Sequence, residues 1–444
     1  MTNRASKSWP ILWATLSLSG VLFQCQAPST KSVTQETATE TPKVYRQAAE
    51  FEEQKGVWLI WPPAEHKQGY SNKAVTLKII EQLINHTSVT VSCANDSLYQ
   101  DAQKHIKQQF PEASIEITKV PSVELWARDM GPVIVEGENG EHIMADFNFD
   151  AWGYSDSTDK DTQIEEQFDV AIAKKLNLPV ISTPMISEGG DREVNGKGTL
   201  LTVETVEQGR NPSMSKTEME AEFKRMLGVS NVIWLKQGLK EDDHTFLGPI
   251  EAEEGLKAYT VITTNGHIDE FCRFVNDSTV LLAEVDPEDL HDPIAKENHR
   301  RMEENYQILK NATDQDGKPL RIVRMPLPKT ILAKMQPGDP VYDYISTLDY
   351  QDGSTFPQGE EIHVVAAASY LNFLISNEVV IGQKYWKEGM DTAIKERDAQ
   401  AKAVLESVFP DRQVIMLDAL SINLGGGGIH CISMQLPAAR PTAL

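Results

Sequence analysis

"GGGGIHCISM", residues 425–434, sets four glycines in front of a His-Cys pair and then returns to strand-forming residues. A glycine inside a strand costs roughly 0.5 to 1 kcal/mol relative to alanine, because it gives up more freedom on folding. Four together imply an offsetting need, either an unusual backbone path or close approach of the main chain to a ligand. Both readings leave Cys431 at the edge of a site. A charged or Gly-rich cluster also leads into a strand at "WARDMGPVIV" (126–135), "SEGGDREV" (187–194) and "NGHIDEFCRFV" (265–275). If each strand starts near a common axis these clusters converge, as loops do at one end of a barrel or propeller. Divergent internal repeats would produce the pattern, although the segments share too little identity to establish a period.

The remainder reads as mixed α/β. "VWLIW" (57–61), "SVTVSC" (88–93), "NVIWL" (231–235), "TVLLAE" (279–284) and "QVIML" (413–417) have the short apolar form of strands. Between them lie helical patterns. "SKTEMEAEFKRML" opens with a capping box, Ser215 with Glu218, and puts Met219, Phe223, Met226 and Leu227 on one face. Residues 391–409 space Ile394, Ala401, Leu405 and Val408 along a stripe. No second linker interrupts the chain after Val44, so residues 44–444 are expected to form one domain.

The N-terminus is a separate object. Arg4 and Lys7 precede an uncharged run from Ile11 to Phe23, too short for a bilayer span and suited to a signal-peptide core over residues 1–25. This predicts an exported bacterial protein, periplasmic, secreted or lipid-anchored. Cys25 closes the run as the lipid-accepting cysteine of a lipoprotein would, while Gln24 stands where such signals place a small residue. Residues 26–43, poor in apolar side chains and rich in Thr, read as a disordered tether.

In all, 444 residues with 40% hydrophobic and 24% charged side chains have the balance of a soluble globular protein. The net charge of −23 argues against nucleic acid as a partner and suits a small cation; it is equally a device for solubility. Beyond Cys25 the cysteines are Cys93, Cys272 and Cys431, an odd number and no disulfide framework. The first two sit in apolar contexts, where a buried inert thiol is the default.

Taken singly, the motifs are weak. Asp129 beside Arg128 reads equally as a buried ion pair at a turn, His267 and Asp269 as polar residues on one strand face, and Cys431 as a packed thiol. Together they supply matching parts. A thiolate attacks carbon, a histidine moves protons, and two carboxylates grip the planar fork of a guanidinium.

Those residues carry a resemblance. "WARDMGPVIV", "DFNFDAWGY", "EGG", "GTLLT", "RNPSMSKTE", "VIWLKQGL", "GHIDEFCRFV", "YLNFLISNEVVIG" and "GGGGIHCISMQLP" are similar to the successive motifs of the agmatine deiminase family, grouped with the Porphyromonas-type peptidylarginine deiminases, from about Phe51 to Pro437. The resemblance implies a five-bladed α/β propeller of ββαβ-type repeats, the pentein fold, with the site on its axis. It implies Cys431 as nucleophile, His267 as general acid and base, and Asp129 and Asp269 as the acids that grip the guanidinium. Substrate contacts are assigned to Glu188, Trp126, Arg128, Gly427 and Gly428, and His430 is read as structural, facing away from Cys431. No metal or organic cofactor is implied. The expected reaction converts agmatine and water to N-carbamoylputrescine and ammonia. Whether an imidazolium or the substrate cation keeps the sulfur ionised stays open.

Three features depart from the family. Glu193 and Asn195 stand where the EGG segment usually carries a histidine and an aspartate near the site, and residues 244–264 look inserted. Export shifts weight toward peptidylarginine or free arginine; the absence of arginine between Asp146 and Tyr154 shifts it back, with Arg192 as a partial substitute. Two further readings are a zinc hydrolase using His267, Asp269, His430 and Cys431, and a non-catalytic surface protein that binds polyamines. Strand neighbours 430 and 431 would face opposite ways, which counts against a shared ion.

Overall fold

Short Val-, Ile- and Leu-rich runs are too apolar to stay in water, and here they pair into small sheets. The structure, a computed structural model, describes residues 45–439, which fall within one compact unit. The expected export signal, Cys25 and the tether lie outside the described residues. No helix among the described residues is long and apolar enough to cross a membrane.

One local arrangement occurs five times: an antiparallel hairpin followed by a helical crossover to a parallel strand. It is formed by Val133–Glu136, His142–Asn148 and Val180–Ile186. Glu193–Val194, Thr199–Val203 and Asn231–Leu235 repeat it, as do Cys272–Phe274, Thr279–Glu284 and Arg321–Pro326. A fourth copy joins Leu374–Ile375, Val379–Gln383 and Gln413–Leu417. The fifth unites the chain ends, with Ser433–Pro437 antiparallel to Gln54–Ile60, which continues in parallel to Ser88–Cys93 and Ile115–Lys119. Parallel neighbours require such crossovers. Helices Asn72–Leu83, Phe168–Leu176, Lys216–Leu227, Pro293–Asn311 and Thr392–Val408 lie on them.

The expected α/β class is therefore observed. The five units make open sheets of three or four strands, and no sheet among the described residues closes on itself. A sixth sheet holds Ile250–Glu251, Lys257–Thr260, Ile362–Val365 and Leu332–Met335. The stretch that looked inserted supplies half of its strands.

Local chemistry explains the best-read elements. The capping box on Lys216–Leu227 is complete: the Ser215 hydroxyl accepts from Glu218 N, and the Glu218 carboxylate accepts from Ser215 N at 2.8 Å. Gly228 then ends the helix at φ +71°, a left-handed conformation that costs glycine nothing. Met219, Phe223, Met226 and Leu227 are all buried, as the periodicity requires.

The repeats fix the position of the site. Immediately ahead of the first strand of successive units stand Asp129, Glu188, the His267–Glu270 turn, Asn372 and Cys431. Four of these positions correspond to the clusters visible in sequence. The fifth, in "SYLNFLI" (369–375), looks like an ordinary apolar strand.

Candidate active site

Cys431 is 6% exposed, and its sulfur lies 3.0 Å from Asn372 Nδ2, 3.4 Å from Asp269 Oδ2 and 3.8 Å from Glu270 Oε1. Burial, and then the charges of Asp269, Glu270 and Asp129, push the thiol well above its ordinary range. The sulfur is thus held protonated until something positive arrives.

His267 and Asp269 were expected on one strand face. Instead Ile268–Glu270 is a turn of 3-10 helix, which sends the two side chains to different partners. His267 Nδ1 lies 3.8 Å from Asp129 Oδ1 and its Nε2 3.5 Å from Glu188 Oε2. Burial opposes charge on this ring, but Asp129 and Glu188 outweigh it and raise its pKa to about 10. His267 is therefore an imidazolium at neutral pH, and no hydrogen bond joins it to Cys431 among the described residues.

Asp129 sits on a single turn, Ala127–Met130. Its Oδ1 accepts from Gly190 N and its Oδ2 from Trp152 Nε1, both at 2.8 Å. Ala151 and Trp152 adopt left-handed backbone at φ 52° and 57°, unusual away from glycine, and so present the indole to Asp129. Glu188 Oε1 meets Arg210 Nε at 2.6 Å. Burial works against its charge, yet Arg210 and His267 win and hold the carboxyl well below the usual carboxylate range. Glu188 thus lies between Arg210 and the His267 ring; sequence reading assigned it to the substrate.

His430 does not face away. Its Nδ1 lies 2.7 Å from Asp269 Oδ2, the oxygen that also meets Cys431, and its Nε2 lies 2.6 Å from Glu50 Oε1. Residues 429–432 precede the strand, so the strand rule that separates neighbours does not apply to them. Arg128 is likewise held behind the site: Nη1 contacts Glu50 at 2.8 Å and its backbone N donates to Cys431 O at 2.9 Å. Glu193 pairs with Arg273 at 2.9 Å, and Arg273 reaches Glu50 at 2.6 Å. Asn195 closes a turn through bonds to Lys197 N and Thr199 N. The two departures from the family pattern therefore act in support layers.

The glycines pack against protein. A Cβ on Gly427 would come within 2.8 Å of Cys431 Sγ and 2.9 Å of the Trp126 ring, and one on Gly428 within 2.4 Å of Asn372 Oδ1. Gly426, at φ +125°, lies against Ile262 O. The run thus admits Trp126, Asn372 and the Cys431 sulfur to the same small space.

Trp126, Trp152 and Gly425 also line a cavity of about 380 Å³, with Tyr154 and Tyr344 as further walls. Glu65, Glu124, Asp159, Asp161 and Glu165 face it, and no Lys or Arg does. Burial, with Asp161, raises Glu124 to about 7; burial, with Glu124, raises Glu165 to about 8. Arg192, a candidate for a substrate carboxylate, is 7% exposed, donates to Ser187 O and stacks 4.2 Å from the Phe147 ring.

The arrangement is a buried thiol among carboxylates, an imidazolium between Asp129 and Glu188, and an acidic, aromatic cavity bordered by Trp126 and Trp152. Comparison with known proteins agrees. The Porphyromonas-type peptidyl-arginine deiminase family matches residues 46–247 and 250–437. This chain belongs to that family. The break in the match falls inside the segment that builds the sixth sheet. An agmatine deiminase of Pseudomonas aeruginosa is 30% identical over 413 residues, covering 90% of this chain and 98% of the relative. That of Ectopseudomonas mendocina is 29% identical over 416 residues, 91% and 99% of the two chains. The solved agmatine deiminase of Enterococcus faecalis, at 24% identity, superposes with a TM-score of 0.68 over 89% of this chain and 96% of its own, which shows a shared fold.

Sequence reading missed Asn372, Glu270 and Glu50. Glu270 directly follows Asp269 in the "HIDE" turn, and Asn372 occupies the fifth strand entrance; both signals were present. Glu50 reaches His430 across 380 residues of chain, and nothing local marks it.

Proposed function

We propose that the protein is a thiol-dependent deiminase of a guanidino-alkylamine, with agmatine as the best-fitting substrate. The chain is a hydrolase of guanidino C–N bonds by its family. The observation that carries the choice of substrate is the cavity at Trp126 and Trp152, which offers five carboxylates and no Lys or Arg. An alkylamine tail is welcome there; the carboxylate of free arginine meets an excess of acids, with His66 the one basic side chain in the lining among the described residues. The five hairpin-and-crossover units fit a five-bladed pentein propeller with the strand entrances on its axis. Export, as the N-terminal sequence suggests, would place the enzyme outside the cytoplasm.

In the proposed reaction the guanidinium lies between Asp129 and Asp269 and cancels the negative charge that keeps the Cys431 proton in place. In this reading the substrate cation, rather than His267, ionises the sulfur. The thiol proton passes to a neighbouring carboxylate, Glu270 being the one left free of the guanidinium. The thiolate attacks the guanidinium carbon, and His267 protonates the departing nitrogen as ammonia leaves. Neutral His267 then accepts a proton from water, which attacks the amidino-thioether and releases the ureido product and the Cys431 thiol, while the proton held by Glu270 leaves with the ammonia as ammonium.

One donor atom each of Asp269, Glu270 and Cys431 lies within 4.8 Å of the others, a spacing that a metal ion would also accept. Acid quench of a turning-over sample, followed by intact mass, separates the readings. An amidino adduct on Cys431 that persists after prolonged chelation supports the thiol mechanism; loss of activity on chelation, without an adduct, rejects it.

A further inference from the structure

We propose that Asn372 is a positioning residue for the nucleophile: its side-chain amide aims the Cys431 sulfur and supports its negative charge once the thiol proton has left. The proposal deepens the deiminase reading and rests on it for the identity of the nucleophile.

The orientation of the amide follows from its neighbours. Asn372 Oδ1 accepts from His430 N at 2.8 Å and from Cys431 N at 3.4 Å, which turns Nδ2 toward Cys431 Sγ, Asp269 Oδ2 and Glu270 Oε1 at 3.0, 3.1 and 2.9 Å. The opposite flip would press a carbonyl oxygen against two carboxylates and set the amide N–H groups against the His430 and Cys431 N–H donors. Two N–H groups cannot fully serve three acceptors. While the sulfur keeps its proton, both can satisfy the carboxylates. When Asp269 turns to the guanidinium, one is released to the thiolate, where a charge-assisted bond is stronger than a neutral one.

The amide is also locked. Asn372 is fully buried, and its backbone O accepts from Gln383 Nε2 at 3.3 Å. Gln383 Oε1 in turn accepts from Asn423 Nδ2, which also donates to Gly427 O, both at 2.9 Å. A chain of three amides therefore ties the glycine run to the fifth strand entrance. Gly428 leaves the room this requires, since a Cβ would lie 2.4 Å from Asn372 Oδ1 and 2.5 Å from Gln383 Nε2.

The surroundings make such a donor necessary. Asp269 and Glu270 face the sulfur from the 268–270 turn and Asp129 from the 127–130 turn, all opposing its ionisation; the Gly428 N–H favours it. His430, Arg273 and Glu50 stand behind Asp269, and His267 stands beside Asp129. Asn372 is the one side-chain donor on the sulfur among the described residues.

The test compares full-length wild type with Asn372→Ala and with Asn372→Asp, which keeps the shape and the Oδ1 acceptor but replaces the donor. Iodoacetamide alkylation of Cys431 is followed against pH by intact mass, with Cys431→Ser as blank, and kcat and KM for agmatine are measured beside it. Loss of a hydrogen bond to a charged group predicts a kcat lower by about tenfold to a hundredfold at little-changed KM. It also predicts an alkylation midpoint higher by about one to two pH units in both variants. An unchanged midpoint in either folded variant, or wild-type kcat in Asn372→Asp, overturns the proposal. If Asn372→Ala does not fold, Asn372→Asp and Asn372→Ser carry the same readout. Should the wild type turn over no guanidine at all, the deiminase reading fails, while the alkylation midpoints still report whether the amide supports the sulfur.

Discussion

His267 and Cys431 are opposite cases of burial at the residue scale. Both are almost sealed from water, yet the ring is kept charged by Asp129 and Glu188 while the thiol is kept neutral by Asp269, Glu270 and Asp129. The histidine has a sign that can be checked. Its folded pKa, about 10, lies above the unfolded value near 6.5, so its stabilisation is fully present below about pH 6.5 and disappears as pH rises through 10. Urea unfolding of wild type and His267→Gln at pH 6 and pH 10.5 is expected to show a stability gap at the lower pH that closes at the higher one. A gap independent of pH would mean the ring is neutral. Turnover is expected to fall on the same alkaline limb, since the neutral ring cannot protonate the leaving nitrogen. Much of this was legible: Cys431, His267, Asp129 and Asp269 each stand beside a glycine, an arginine or a turn that marks them. What could not be read was which carboxylate faces which base, because the 268–270 turn, not a strand, directs those side chains.

At the scale of elements, the glycine run and the short strand entrances decide where the chemistry sits. Gly428→Ala places a methyl against Asn372 and Gln383 in a space without slack. Overpacking of this kind costs about 1–3 kcal/mol. Thermal unfolding is expected to show that loss, with kcat falling at the same time because Asn372 is displaced. A variant as stable and as active as wild type would show that the amide chain is not tight. Strand positions were readable from runs of branched apolar residues: 88–93, 231–235, 279–284 and 413–417 are strands over those bounds. The partners were not. Ser433–Pro437 pairs with Gln54–Ile60 from the other end of the chain, and no local pattern encodes that. In "SYLNFLI" Asn372 stands among Leu and Phe with no charged or Gly-rich cluster to mark it, so the fifth entrance was not singled out. The family match breaks only at residues 248–249 within 244–264, and that stretch supplies two of the four strands of a sheet outside the repeated units.

For the whole molecule, the excess of acid acquires a location. Part of the net charge of −23, which sequence alone left divided between a small cationic partner and solubility, lines the cavity beside Trp126 and Trp152. Glu124 and Glu165, raised to about 7 and about 8, are partly protonated at neutral pH and must lose those protons to hold a cation. KM for agmatine is therefore expected to fall as pH rises from 6 to 8.5, and Glu165→Gln is expected to raise KM about tenfold with little change in kcat. A flat KM profile in both proteins would place the amine elsewhere.

The central claim, a cysteine deiminase selective for a guanidinium carried on an amine, is tested most directly by one comparison. Purified protein and its Cys431→Ser variant are offered agmatine, free arginine and a peptide ending in arginine, and ureido product is quantified for each. The account predicts turnover of agmatine, at least about tenfold lower kcat/KM for the two substrates that bring a carboxylate to the acidic cavity, and a loss of at least about a thousandfold in Cys431→Ser. Ureido product from the serine variant at the wild-type rate, or preference for the peptide over agmatine, would contradict it.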